Sequence, residues 1–391
     1  MLSAEFFKPV SDDLIAEALG QGPNNLANAM KFHSSQGFPE IPSVGIALLS
    51  VHDHRLAVGS SDAKDSTSEI RNKLYRLHRH EHPVALIDLG DFIPGATPDD
   101  TRFALAEVVR DLMVAGLLPV VIGGSQDLTM ALHEAYRPFG KLINISSVDS
   151  RFDLGSPDAE ISNQSWLGKI VLQQPTFLFN FSSIAYQTHF AGAESVEFMG
   201  RLLFDTYRLG EVRSSLADME PVVRSSDMIT FDMSAIRQSD APGNTNPSPN
   251  GLSGEEACQL MMYAGLNDQL SCLGLFEFDA RSDRNAQTAH LAAQMIWYLV
   301  EGYGNRMGDF PGQAPESNFT RYHVEAGVNA GGLIFVKHNF TSRWWLELPK
   351  PVSDDNPDLK RQRYVPCSNK DYQQAMQNEM PERLWQIIQK L

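Results

Sequence analysis

Two aspartates four positions apart, Asp149 and Asp153, lie in the segment Val148-Asp149-Ser150-Arg151-Phe152-Asp153, just after the apolar run Leu142-Ile143-Asn144-Ile145. Carboxylates at the end of a buried strand are suited to hold a metal ion or a substrate cation. Arg151 stands between them. A guanidinium is always protonated and has no lone pair to offer, so at this position it can balance charge but cannot ligate. Three other apolar runs also end in polar clusters. Residues 118–122 lead into Gly123-Gly124-Ser125-Gln126-Asp127, residues 228–231 into Asp232-Met233-Ser234, and residues 273–276 into Glu277-Phe278-Asp279. In an open α/β sheet, functional groups collect at the carboxyl ends of parallel strands. Four such ends predict one shared site at one edge of the sheet.

The elements that must position these groups follow a strand–helix alternation. Short apolar runs at 44–49, 84–89, 118–122, 142–145, 176–181, 228–231 and 273–278 read as strands buried on both faces. Between them, residues 100–115 carry Leu105, Val108, Val109 and Leu112 at helical spacing and stop at Gly116. Ser253-Gly254-Glu255-Glu256 is a capping box that opens a helix running to about Gly265. Residues 287–300 form another apolar-rich helix. The alternation predicts an α/β, three-layer αβα fold with a mostly parallel sheet. Residues 1–41 read as an N-terminal arm, with a helix at 12–19, and 42–310 as the α/β domain. Residues 311–391 read as a C-terminal extension packed on it, with a hairpin (321–324 and 333–338 around a glycine-rich turn at 327–332), an exposed loop at 349–358 and a closing helix at 382–390. Trp344 and Trp345 are expected to bury against the domain or a subunit interface.

Composition bounds the partners. The chain has 391 residues, 42% hydrophobic and 20% charged, with net charge −16. Such a surface argues against nucleic acid or an anionic membrane as partner. Cys258, Cys272 and Cys367 are widely spaced and odd in number, which suggests neither a disulfide framework nor a thiolate zinc site. The first residues lack a basic region followed by a long apolar core, and no run is long enough to span a bilayer. A cytoplasmic protein is expected.

With these residues in view, the chain resembles the ureohydrolase family of arginase, agmatinase and formimidoylglutamase across roughly residues 42–303. The family's Gly-Gly-Asp-His motif lines up with Gly123-Gly124-Ser125-Gln126, and its Asp-Ala-His-x-Asp motif with Asp149-Ser150-Arg151-Phe152-Asp153. Its Ser-x-Asp-x-Asp strand end lines up with Thr230-Phe231-Asp232-Met233-Ser234. The loop Ala241-Pro242-Gly243-Asn244-Thr245-Asn246-Pro247, with Gly251-Leu252-Ser253 after it, is similar to the family's Ala-Pro-Gly-Thr-Gly-Thr-Pro loop leading into Gly-Gly-Leu. Asp88-Leu89-Gly90-Asp91 and Glu69-Ile70-Arg71-Asn72-Lys73-Leu74 also resemble family segments.

The resemblance implies that Gln126, Asp149, Arg151, Asp153, Asp232 and Ser234 stand where six family side chains hold two manganese ions. Asp149, Asp153 and Asp232 are retained, while Gln126, Arg151 and Ser234 are degenerate ligand positions. Asp149, Asp232 and Glu277 are the candidate catalytic residues, Glu277 standing where the family meets the substrate's guanidinium or amidine. The loop Ser162-Asn163-Gln164-Ser165-Trp166-Leu167 lacks the family's catalytic histidine. The expectation is therefore a formimidoylglutamase-like arginase-fold protein that has lost two-manganese hydrolysis and serves as a binding, scaffold or regulatory protein. Arg151 is expected to fork onto the aspartates in place of the second ion, and no cofactor is expected. The alternative is a single divalent cation (Mn, Mg or Ca) on Asp149, Asp153, Asp232 and Gln126. It would serve a C–N hydrolase of linear amidines or guanidines, with Asp127 as a possible shifted ligand. A small guanidino or amide ligand and a homo-oligomer are the expected partners. The extension resembles that of a bacterial formimidoylglutamase-like branch, which implies a bacterial source.

Overall fold

The computed structural model describes residues 2–59, 67–325, 332–348 and 363–390. The loop expected at 349–358 and nearly all of the glycine-rich turn at 327–332 lie outside the described residues. The main sheet is built from β1 (Phe7–Lys8), β2 (Met30–Phe32), β3 (Gly45–Val51), β4 (Leu86–Phe92), β5 (Leu117–Ile122), β6 (Ile143–Val148), β7 (Leu178–Tyr186), β8 (Asp205–Arg208), β9 (Met228–Asp232) and β10 (Cys272–Phe276). Its order is β1-β4-β3-β5-β10-β9-β6-β7-β8, with β2 also paired to β4. Every pair from β4 to β8 is parallel, and only β1 runs antiparallel at the edge. The arm expected at 1–41 therefore supplies two strands to this sheet.

Sequence alternation on each strand feeds two separate cores. On β3, Ile46 and Leu48 enter one core, while Ala47, Leu49 and Val51 enter the other. Helices Thr67–Tyr75, Gly254–Gly265 and Gln287–Gly304 cover the first face through Ile70, Leu260 and Ile296. Helices Pro98–Val114, Thr129–Glu134 and Trp166–Leu172 cover the second through Leu105, Leu132 and Ile170. Both sides of the sheet are thus dry, which is why its strands read as continuous apolar runs. The Ser253 capping box forms, with the Ser253 side chain accepting from Glu256 N and Glu256 accepting from Ser253 N. Gly265 and Gly302 let the two helices of the first face touch: a Cβ on Gly265 would stand 2.2 Å from Leu299 O.

The C-terminal segment forms a second, antiparallel sheet, β11 (Phe319–Glu325), β12 (Gly332–His338), β13 (Trp344–Glu347) and β14 (Tyr364–Cys367). Helices Asn369–Met376 and Glu382–Gln389 follow. Trp344 and Trp345 are buried as expected. The attachment to the body is made by guanidinium groups on backbone carbonyls. Arg224 donates to Trp344 O and Cys367 O and lies 4.5 Å over the Trp345 ring. Arg383 donates to Pro366 O and Pro221 O. The cavity between sheet and body is lined by Leu142, Asn144 and Asp227, which stand at the amino ends of strands. The extension thus docks at the end of the main sheet opposite the carboxylates. Among the described residues no helix is long and apolar enough to cross a membrane.

Candidate metal centre

Strands β5, β10, β9 and β6 are consecutive neighbours, so the four polar strand ends converge although the chain visits them far apart. One oxygen each from Asp149, Asp153 and Asp232 lie within 4.8 Å of one another, all three residues being buried. Asp149 follows β6, its N–H bonded to Ile184 O of β7. Asp232 is the last residue of β9 and caps the following turn by accepting from Ser234 N at 2.6 Å. Asp153 is set by two devices. Its backbone is left-handed, φ 48°, and its Oδ2 accepts from Trp166 Nε1 at 3.1 Å. A non-glycine residue held in that region is strained, and such strain gathers at functional sites.

Burial raises the pKa of all three carboxyls above the usual range, and neighbouring carboxylates add to it, with the Glu277 charge acting on Asp153 and Asp232. Desolvation is the largest cause in each case, followed for Asp149 by the charges of Asp153 and Asp232. A bound cation would relieve that repulsion. Two buried acceptors, Asp149 Oδ2 and Gln126 Oε1, have no hydrogen-bond donor. Gln126 is anchored by its Nε2 on Thr230 Oγ1 at 3.1 Å, two residues before Asp232. A hard divalent cation fits this all-oxygen donor set. The cluster weighs against the expectation of no cofactor.

Arg151 does not behave as expected. Its backbone N–H donates to Asp149 Oδ1 at 2.8 Å, but its guanidinium lies 4.3 Å over the Phe190 ring. Among the described residues no carboxylate makes a close ion pair with it, although its charge still acts on Asp153 and lowers that carboxyl's pKa. The turn that Arg151 N closes on Asp149 fixes the direction in which the side chain leaves, and Phe190 offers that side chain a seat. The fork onto the aspartates is therefore not formed. Ser234 gives its N–H and hydroxyl to Asp232 and contributes no separate ligand. No histidine joins the cluster among the described residues. Asp127, the possible shifted ligand, stays outside it and accepts from Ser125 Oγ; burial pushes its carboxyl up to about 7.

Glu277 closes the other side. It too has a left-handed backbone, φ 66°, and is fully buried at 0% exposure. Its Oε1 accepts from Gln126 N at 2.7 Å and Asn163 Nδ2 at 3.2 Å, and its Oε2 accepts from Thr245 Oγ1. These donors favour the charged form, while burial opposes it and leaves the pKa raised. Asn163 is pinned in turn by Val58 N at 2.9 Å. Sequence reasoning noted only that the loop 162–167 lacks a histidine. It missed that the same loop sends Asn163 to Glu277 and Trp166 to Asp153. A polar residue beside a tryptophan in a loop between buried elements was the available signal.

A family model described as the arginase family matches residues 50–301. Formimidoylglutamase of Streptococcus gordonii is 24% identical over 269 residues, covering 62% of this chain and 79% of that protein. Formimidoylglutamase of Geobacillus kaustophilus is 26% identical over 247 residues, covering 60% and 76%. Among solved structures, Trypanosoma cruzi formiminoglutamase with Mn2+ superposes with TM-score 0.61 at 21% identity, over 68% of this chain and 95% of that one. Formimidoylglutamase of Bacillus subtilis gives TM-score 0.61 at 18% identity, over 67% and 88%.

Proposed function

Because the chain belongs to the arginase family as a formimidoylglutamase-like member, its departures from the family's ligand pattern bear on function, and we propose that it is a binding protein that holds one divalent cation and no longer performs two-metal hydrolysis. The cation would be held by Asp149, Asp153 and Asp232, with Gln126 Oε1 as a neutral donor, and would neutralise the buried carboxylates. The observation that carries this reading is Glu277. Both of its oxygens are taken by internal donors at 0% exposure. A guanidino or amide ligand would have to displace Thr245 and Asn163 to reach it. Arg151 supports the same reading, since it stands at a ligand position it cannot fill.

The experiment is metal analysis of protein purified without chelator, followed by turnover assays with formimidoylglutamate, agmatine and arginine. The expected result is about one equivalent of metal or less, with no formamide, ammonia or urea released. Turnover of any of the three substrates overturns the proposal. A second reading, single-metal hydrolysis, is favoured by one observation: the chain keeps strained left-handed backbone at both Asp153 and Glu277. The same assays decide between the two.

A further inference from the structure

Each aspartate of the buried trio has one oxygen taken by an N–H donor. Arg151 N donates to Asp149 Oδ1 at 2.8 Å, Trp166 Nε1 to Asp153 Oδ2 at 3.1 Å, and Ser234 N to Asp232 Oδ1 at 2.6 Å. A carboxylate whose one oxygen is held by an N–H meets a metal through the other oxygen alone. The trio therefore offers single oxygens and no two-oxygen clamp, with one oxygen from each residue within 4.8 Å of the others. Gln126 is the independent sign that an ion belongs among them. It is 0% exposed, its Nε2 is fixed on Thr230 Oγ1, and its Oε1 is an acceptor without a donor. A bare cation can seat between enclosed oxygens, which an organic ligand cannot do.

The same donors hold the oxygens still. Trp166 is 1% exposed and packs on Phe181 with ring centroids 6.2 Å apart. Asp153 sits on a left-handed backbone, and Asp149 N is bonded to Ile184 O of β7. Ca2+ takes about six to eight oxygens in a flexible shell, often two from one carboxylate, whereas Mg2+ demands a strict octahedron and keeps several waters. Three aspartates and Gln126 leave about two octahedral positions for water, but about three or four in a shell of seven or eight. A cluster this buried has little place for the larger number.

We propose that these N–H donors, Trp166 Nε1 among them, set the class of ion at the centre: it takes Mg2+ or Mn2+ and discriminates against Ca2+. The inference deepens the one-cation reading above and rests on it. Trp166 is a positioning residue here. It acts on the ion only through Asp153, by keeping Oδ2 out of the coordination shell.

The test is calorimetric titration of the full chain, stripped with chelator and dialysed, with Mn2+, Mg2+ and Ca2+ in separate arms. Mn2+ is expected to bind at least about tenfold more tightly than Ca2+, and Mg2+ to raise the melting temperature more than Ca2+ at equal concentration. Trp166→Phe keeps the ring and frees Asp153 Oδ2, so it should narrow the Mn2+ to Ca2+ affinity ratio at least about threefold. A tryptophan that served packing alone would weaken both ions alike, so an unchanged ratio overturns its role. Ca2+ bound by the wild-type chain as tightly as Mn2+ overturns the inference and leaves the one-cation reading standing, whereas no binding of any of the three overturns both. If Trp166→Phe does not fold, the wild-type ranking decides alone.

Discussion

Thr245→Val isolates the seal over Glu277. The substitution nearly preserves shape and removes the hydroxyl that donates to Glu277 Oε2. The other two donors, Gln126 N and Asn163 Nδ2, both serve Oε1, so the change leaves a buried carboxylate oxygen with no donor. A hydrogen bond to a charged group contributes about 1.5–3 kcal/mol, and an unsatisfied buried acceptor costs a similar amount. The expected loss is about 2 kcal/mol, read as a lower urea midpoint at unchanged slope. A double-mutant cycle with Glu277→Gln sharpens the test. Hydrogen bonds between neutral groups are about half as strong, so Thr245→Val should cost about 1 kcal/mol when Glu277→Gln is already present, a coupling of about 1 kcal/mol. Equal costs in both backgrounds would falsify the claim that this hydroxyl holds a charged carboxylate in place. In that case Glu277 is protonated or turned elsewhere, and the reading of a sealed site loses its main support.

Asp149→Asn or Asp232→Asn should abolish the rise in melting temperature that Mn2+ or Mg2+ produces, while Asp127→Asn, outside the cluster, should leave it in place. His133 is 2% exposed, and burial pushes its pKa down to about 4. The unfolded chain takes up that proton below about 6.5, so stability is whole above that pH and declines by up to about 3 kcal/mol as pH falls towards 4. A urea-midpoint profile across this window should flatten in His133→Gln, and an unchanged slope would refute the assignment. Gly265→Ala should destabilise by about 1–3 kcal/mol, because its Cβ meets the Leu299 carbonyl and the helix pair must move apart. A melting temperature equal to wild type would show that the contact is looser than drawn.

Much of the fold was legible in the residues because β3, β5, β9 and β10 are buried on both faces and leave unbroken apolar runs. The short strands were not. Phe7–Lys8, Met30–Phe32 and Asp205–Arg208 lie at or near sheet edges and include exposed polar positions, so neither continuity nor alternation marks them. Trp344–Glu347 and Tyr364–Cys367 were missed for a related reason: each is four residues long, too short to show a period. The convergence of Asp149, Asp153, Asp232 and Glu277 could be read from strand ends, since parallel strands point their carboxyl ends one way. The direction of Arg151 could not. It depends on a backbone turn at Asp149 and on Phe190 arriving from another strand end. Asn163 acquires its meaning only when its loop packs on a glutamate 114 positions away.

The place of β10 in the sheet has a consequence for how the molecule is made. It is the last strand of the main sheet to be synthesised, yet it lies between β5 and β9. Until residue 276 leaves the ribosome, the chain holds two half-sheets, β4-β3-β5 and β9-β6-β7-β8, each with an open apolar edge waiting for the same strand. Exposed edges of this kind are where nascent chains stick to one another. The acidic trio belongs wholly to the second half, on the ends of β6 and β9, whereas Gln126 and Glu277 join from outside it. A cation available during translation would gather that half before the keystone strand is in place. Scarcity of the ion would then show first as a poor yield of folded chain, ahead of any change in what the finished protein does.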